Sequence, residues 1–282
     1  MIEYKHIRQF AWIYASAVVL FFVWMYWNGL HFSAYRPVFF NNQTDLTGNY
    51  ILLTGIHLKV MQEQWLRVLL DVSFILFPVM LCVLVVRRST IAHPVSILTA
   101  GVALLYAWLY SILGVISIEV FTAFLFTPLV FTALTVQGFY FRIQILRLLF
   151  LIIFFSTAWW KFRAGGFFHF EQMQAILFRQ HTAAIVYGSN DLSTNLYKFL
   201  IAHPSVSFGL YVMATLLEAS MAIGFFTHRF DRWLMMFALL FIGMDYLLME
   251  INYFSWIPMV AALYFSGKQW PHVHVSSQIA TR

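Results

Sequence analysis

Residues Val68–Val86 read VLLDVSFILFPVMLCVLVV, a run whose only charge is Asp71 and which is closed by Arg87-Arg88. An apolar run of roughly 18 residues or more crosses a bilayer as a helix, whereas a soluble core helix shows polar residues on one face. Working outward, further apolar runs begin near Phe10, Val95, Val120, Ile143, Ser205, Trp233 and Tyr253. The expected fold is therefore all-α. It is a polytopic membrane helical bundle of about eight transmembrane helices, forming a single domain over 1–282. The fourth and fifth runs are edged only by Glu119, Arg142 and Arg147, and the eighth, Tyr253–Ser266, is short for a crossing.

Composition points the same way. Of the 282 residues 62% are hydrophobic and 20% aromatic, against roughly 45–50% apolar content in soluble domains. Basic residues in short loops are retained on the cytoplasmic side. That rule places Lys5, Arg8, Arg87, Arg88, Arg142, Arg147, Arg229, Arg232, Lys268 and Arg282 together on the N-terminal side. Both termini are expected to be cytoplasmic, in the inner membrane of a bacterial cell. The net charge of +6 follows from this topology and is dispersed, so no nucleic-acid partner is expected. The first run is long, rich in Trp and Tyr, and lacks a small-residue cleavage site, so it reads as a retained span. The single cysteine, Cys82, excludes an intramolecular disulfide.

Two outer segments, Asn28–Arg67 and Lys161–Pro204, separate the spans. Phe170, Met173, Ile176 and Leu177 recur at helical spacing, with Glu171, Gln172, Gln174 and Arg179 around the other face. That pattern suits an amphipathic helix on the membrane surface. A second short helix starts after Asp191 or Ser193, either of which caps free amides, and ends before Pro204. The first outer segment carries a similar helix from about Asn49 to Leu66. Each half of the chain runs from a span through a glycine turn and a long outer segment to a span bearing an acid, Asp71 or Glu218. A four-plus-four pseudo-repeat split near 142 is the corresponding expectation.

Only 10% of residues are charged, and a charge at bilayer depth costs at least ~2.5–3.5 kcal/mol. Ionisable side chains within or beside apolar runs therefore mark the candidate site. Asp245 falls about four residues, roughly 6 Å, below the outer end of its span, and Glu218 lies roughly 13 Å from the inner end of its own. Lys161 sits at the outer end of the fifth run. These depths bring Lys161 against Asp245, with Glu218 deeper, while Asp71, close to the outer interface, reads as structural. Lys161 is either an interface anchor beside Trp159 and Trp160 or a proton-transfer base. Glu218 sits among Ala219 and Ser220, as at a helix contact. No HExxH, Walker loop, GxGxxG or nucleophile elbow occurs. No metal site is expected, and His272 and His274 belong to a polar tail.

The string FFSTAWWKFRAGG, Phe154–Gly166, resembles the signature of the horizontally transferred transmembrane (HTTM) family, which includes vitamin K-dependent gamma-carboxylase. Glu218 ahead of a basic loop and the aromatic turn Tyr253-Phe254-Ser255-Trp256 extend the resemblance. It implies that Lys161 stands at the family's lysine position, where the carboxylase branch forms a strong base with reduced vitamin K. A reduced quinone is the cofactor so implied. The chain departs from the family at Arg163–Phe170 and at Asp245, where a histidine is expected, and otherwise is similar to the compact bacterial members. Three readings follow. The first is a quinone- or lipid-linked membrane enzyme with Lys161, Glu218 and Asp245 as catalytic candidates. The second is an accessory protein for maturation or export of a secreted peptide, with a small peptide or membrane-protein partner. The third is a transporter.

Overall fold

The computed structural model describes residues 2–34, 46–113, 118–188 and 191–266. Lys268, His272, His274 and Arg282 lie outside them. Among the described residues the chain is helical throughout, without strands. Six helices are long and apolar enough to cross a membrane. They are α1 (Ile2–Trp27), α4 (Gln64–Val86), α5 (Ala92–Leu113), α7 (Val136–Arg163), α10 (Pro204–Ser220) extended by α11 (Ile223–Phe226), and α12 (Asp231–Met249). The protein is an all-α bundle of membrane-crossing dimensions.

The expected fourth and eighth spans are short. The fourth is a 3₁₀ turn, Ile118–Phe121, then α6 (Thr122–Phe126) and a second 3₁₀ turn, Pro128–Thr132. Thr127 keeps helical backbone angles, but Pro128 lacks the amide hydrogen that would continue the ladder, so α6 stops at Phe126. The eighth is α13 (Ile257–Ser266), led by a 3₁₀ turn at Phe254–Trp256. Both are buried, with Phe121, Ala123, Phe124, Met259, Ala262 and Leu263 fully out of contact with the surroundings. They touch one another at the centre of the bundle. Phe124 packs there against Phe21 and Phe74 at ring separations of 5.4 and 5.9 Å. The six long helices wrap these two and turn Leu20, Leu76, Ile97, Ile152, Leu216 and Leu240 outward, as a lipid-facing surface requires.

Two faces follow from the alternation. On one, Arg88 stacks over the Tyr4 ring at 4.0 Å, His6 Nδ1 bonds Tyr140 Oη at 2.7 Å, and Gln144 donates to the Ser266 carbonyl at 3.2 Å. The start of α1, the end of α4, the start of α7 and the end of α13 therefore share this face. The described basic residues expected on the N-terminal side cluster towards it. The opposite face carries α2 (Leu46–Thr54), α3 (Ile56–Gln62), α8 (Gln172–Val186) and α9 (Leu192–Ala202). The expected helix over Asn49–Leu66 is broken at Gly55, whose φ of +68° ends α2 in a conformation that L side chains rarely adopt. In the other outer segment α8 buries Met173, Leu177 and His181, and Asp191 caps α9 by accepting the Thr194 amide at 2.8 Å. Residue 142, near which a pseudo-repeat split was expected, lies inside α7.

Asp71 is buried and accepts the amides of Phe32 and Ser33 at 3.1 and 2.7 Å and the Tyr106 hydroxyl at 2.9 Å. It fastens the turn after α1 to α4 and α5. Arg147, counted above among loop-edge basic residues, is instead 2% exposed. It grips Asp231 through Nε (2.9 Å) and Nη2 (2.6 Å) and donates to the Gly224 and Thr227 carbonyls. His228 and the Ser266 hydroxyl complete the shell around Asp231. The cluster ties α7, α11, α12 and α13 together. Asp231→Asn leaves the guanidinium without its counter-charge, and breaking a buried pair costs roughly 3–5 kcal/mol. The expected outcome is a Tm drop of several degrees in detergent, largely recovered in the Arg147→Met/Asp231→Leu double variant, as followed by thermal unfolding.

Candidate functional site

Lys161 and Glu218 form a two-pronged ion pair. The Lys161 Nζ donates to Glu218 Oε1 at 2.9 Å and to Oε2 at 2.8 Å, with the carboxylate 4% exposed and the lysine side chain 26% exposed. The lysine sits two residues before the end of α7, after which Ala164 and Gly165 turn the chain. Gly165 takes a φ of +75°. A Cβ on Gly166 would stand 2.9 Å from the Tyr211 hydroxyl, so the turn packs directly against α10. Tyr211 and Phe241 flank the ammonium at 5.5 and 5.9 Å from their ring centroids. These aromatic faces offer a desolvated cation the attraction that water would otherwise supply.

The expected neighbour of Lys161 was Asp245, with Glu218 deeper; the ion pair is instead with Glu218. The helix carrying Glu218 explains this. It ends at Ser220, two residues beyond the acid, and its amides tighten to 3₁₀ spacing at Met221 and Ala222. The acid thus lies at the end of α10 and reaches towards the Lys161 end of α7. Asp245 is half-buried one turn after Phe241 on α12 and lies within electrostatic range of both members of the pair. Among the described residues no donor forms a hydrogen bond or ion pair with its carboxyl.

The three groups border a cavity of about 450 Å³, lined also by Glu119, Ser156, Thr157, Tyr253 and Trp256. Burial, reinforced by the carboxylates of Asp245, Glu119 and Glu218, pushes the Tyr253 hydroxyl well above its usual range. It stays a phenol and a donor. On the other side of Lys161, Phe241 and Asp245 lies an apolar groove of about 160 Å³, walled by Met173, Met213, Met244 and Met249. Methionine walls adapt to irregular apolar shapes. Met213 and Leu240 are 44% and 51% exposed, so the groove opens sideways between α10 and α12. The arrangement suits a molecule with a polar head and an apolar body. Among the described residues no group of three or more His, Cys, Asp or Glu could hold a metal ion.

A roof covers this end. The last carbonyls of α12 are each met by a side chain from the outer layer. Gln180 donates to Met249, His181 Nε2 to Leu248 at 2.9 Å, and Tyr197 to Leu247 at 3.2 Å. The His181 and Tyr197 rings stack at 3.7 Å, and burial together with Glu250 pushes the Tyr197 hydroxyl up to about 12. Met173 belongs to this buried seam, and Phe170 packs on Phe208 at 5.3 Å. Both side chains hold α8 to the bundle. Sequence reasoning singled out Lys161, Glu218 and Asp245 but not Glu119, Tyr253, Trp256 or the three roof residues. The aromatic turn at Tyr253–Trp256 was the one available signal, because the roof contacts join residues more than 45 positions apart.

Comparison with known proteins finds no matching family model, no similar curated protein and no similar solved structure.

Tyr197→Phe removes one roof bond worth about 1 kcal/mol. Faster amide hydrogen exchange across Leu192–Ala202 and the last turn of α12 is expected, with exchange in α1 and α4 unchanged.

Proposed function

We propose that this chain is a compact bacterial member of the HTTM family that takes an isoprenoid quinone or similar lipid-like molecule from the cell membrane and exchanges a proton with it. Its N-terminal side faces the cytoplasm, as the basic residues gathered there favour. The observation that carries the reading is that Lys161 and Asp245 stand between a cavity that also holds Glu218, Glu119 and Tyr253 and an apolar groove open to the bilayer side. The Lys161 ammonium donates to both oxygens of Glu218, so two of its three protons are engaged. Lys161 therefore orients and neutralises. Asp245, without a donor of its own, receives the head-group hydroxyl. A bound quinol supplies the electron-rich ring and acidic hydroxyls; the chain contributes the acceptor, the cation and a phenol donor at Tyr253.

The test measures binding of a short-chain isoprenoid quinone, oxidised and reduced, to the full chain in lipid nanodiscs. Asp245→Asn weakens binding of the reduced form about tenfold, or ~1.4 kcal/mol, and spares the oxidised form. Ser156→Trp, which fills the cavity, weakens both. Equal binding to the native chain and Ser156→Trp overturns the reading.

A transporter is the second reading, supported by the helix interruption directly after Glu218, since transporter sites form at discontinuous helices. It predicts Glu218-dependent uptake in proteoliposomes without chemical change of the solute.

A further inference from the structure

Arg142 stands apart from both charge clusters. It is half-buried on α7, its Nη1 is shut off from solvent without a hydrogen-bond partner, and among the described residues no carboxylate pairs with it. It borders a groove of about 440 Å³ between α5, α7 and the Pro128–Thr132 turn. Its walls include His93 and Thr132 beside the arginine and Ile97, Leu129, Ile145 and Leu149 beyond. No acid lines this groove. Ile97 and Ile145 are 52% and 50% exposed, so the groove lies on the lipid-facing side of the bundle.

Helix register gives the depth. Asp231 begins α12, whose 19 residues extend roughly 28 Å, close to the ~30 Å hydrocarbon thickness. Arg147 is level with Asp231 through their ion pair. Arg142 precedes Arg147 by five residues on α7, so it lies roughly 7 Å further out, at head-group level. Ile145 and Leu149 run from there towards the bilayer interior. The groove is thus basic at the interface and apolar below it, and its only charge lacks a counter-charge. His93 adds a second group at the same level. Its Nδ1 donates to the Thr132 carbonyl at 2.9 Å, which leaves Nε2 as the ring's remaining polar atom.

We propose that this groove is a binding site for an anionic phospholipid, whose phosphate pairs with Arg142 and whose acyl chain lies over Ile97, Leu129 and Ile145. A guanidinium is suited to this, because its planar fork matches two phosphate oxygens at once. A zwitterionic lipid offers the same phosphate with a neutralising ammonium and binds less tightly. The site lies on the face away from Lys161 and does not depend on the quinone reading.

The experiment is native mass spectrometry of the full chain released from detergent, titrated with phosphatidylglycerol or with phosphatidylcholine of identical acyl chains. Inorganic phosphate and oleate serve as separate arms. One equivalent of phosphatidylglycerol is expected to bind about tenfold tighter than phosphatidylcholine. Arg142→Gln removes that preference, Arg142→Lys keeps part of it, and Ile145→Trp, which fills the apolar end with Arg142 intact, weakens both lipids. Circular dichroism and a monodisperse elution profile confirm that each variant is folded. Equal affinity for the two lipids, or an undiminished preference in folded Arg142→Gln, overturns the proposal. So does saturation by phosphate or oleate alone at the lipid's concentration, which would make the site one for a free anion.

Discussion

The Arg147–Asp231 ion pair sets the register between the two helices on which the cavity depends. Arg147 and Lys161 are 14 positions apart on α7 (161 − 147), and Asp231 and Asp245 are 14 apart on α12 (245 − 231). The helices run in the same direction, so pinning one end brings Lys161 and Asp245 to a similar level, roughly 21 Å along the axis. Phe154 and Phe241, 5.3 Å apart, fill the interval. The pair itself is tolerable because each partner's spare capacity is used. The guanidinium also meets two carbonyls and the carboxylate a hydroxyl and an imidazole, and desolvated charges persist only under such saturation.

Charge burial also organises the rest of the bundle. In each half the acid on the span after the outer segment reaches back to the end of that half's first helix. Asp71 holds the turn after α1, and Glu218 holds Lys161 at the end of α7. The difference lies in the partners. Asp71 is met by two amides and a phenol, fixed dipoles that leave nothing exchangeable, whereas Glu218 is met by a movable ammonium beside a cavity. One position serves as a fastening and the other is suited to chemistry.

The spans were legible because length and apolar content suffice to define a membrane helix. α4, α5, α10 and α12 begin within a few residues of where their runs begin. The fourth and eighth runs misled because an apolar run reports burial, and burial among neighbouring helices is as apolar as burial in lipid. Pro128 was visible, yet its effect depends on whether the flanking residues are long enough to cross without it. Arg147 was misread for a related reason: beside Arg142 it resembled a loop edge, and only the chain's return at Asp231 reveals a counter-charge 84 residues away. Lys161, Glu218 and Asp245 could be singled out individually, since each is anomalous in its own run. Their pairing could not. Depth estimates assumed continuous helices, and the break after Ser220 changed the reach of Glu218.

That pairing constrains any chemistry at the site. A lysine acting as a base must first surrender its proton, and here the nearest acceptor is the carboxylate that already holds it. Moving the proton from Nζ to Glu218 replaces two charges with two neutral groups, an exchange that a dry cavity favours far more than water does. A ligand that expels water from the 450 Å³ cavity would thus lower the cost of a neutral lysine beside a protonated Glu218. On the proposed reading, an ionised Asp245 adds to the negative charge facing the pair, and an Asp245 that has taken the ligand's proton does not. On that reading the second carboxyl, which stands where the family resemblance implies a histidine, would couple proton uptake from the ligand to the state of the ion pair.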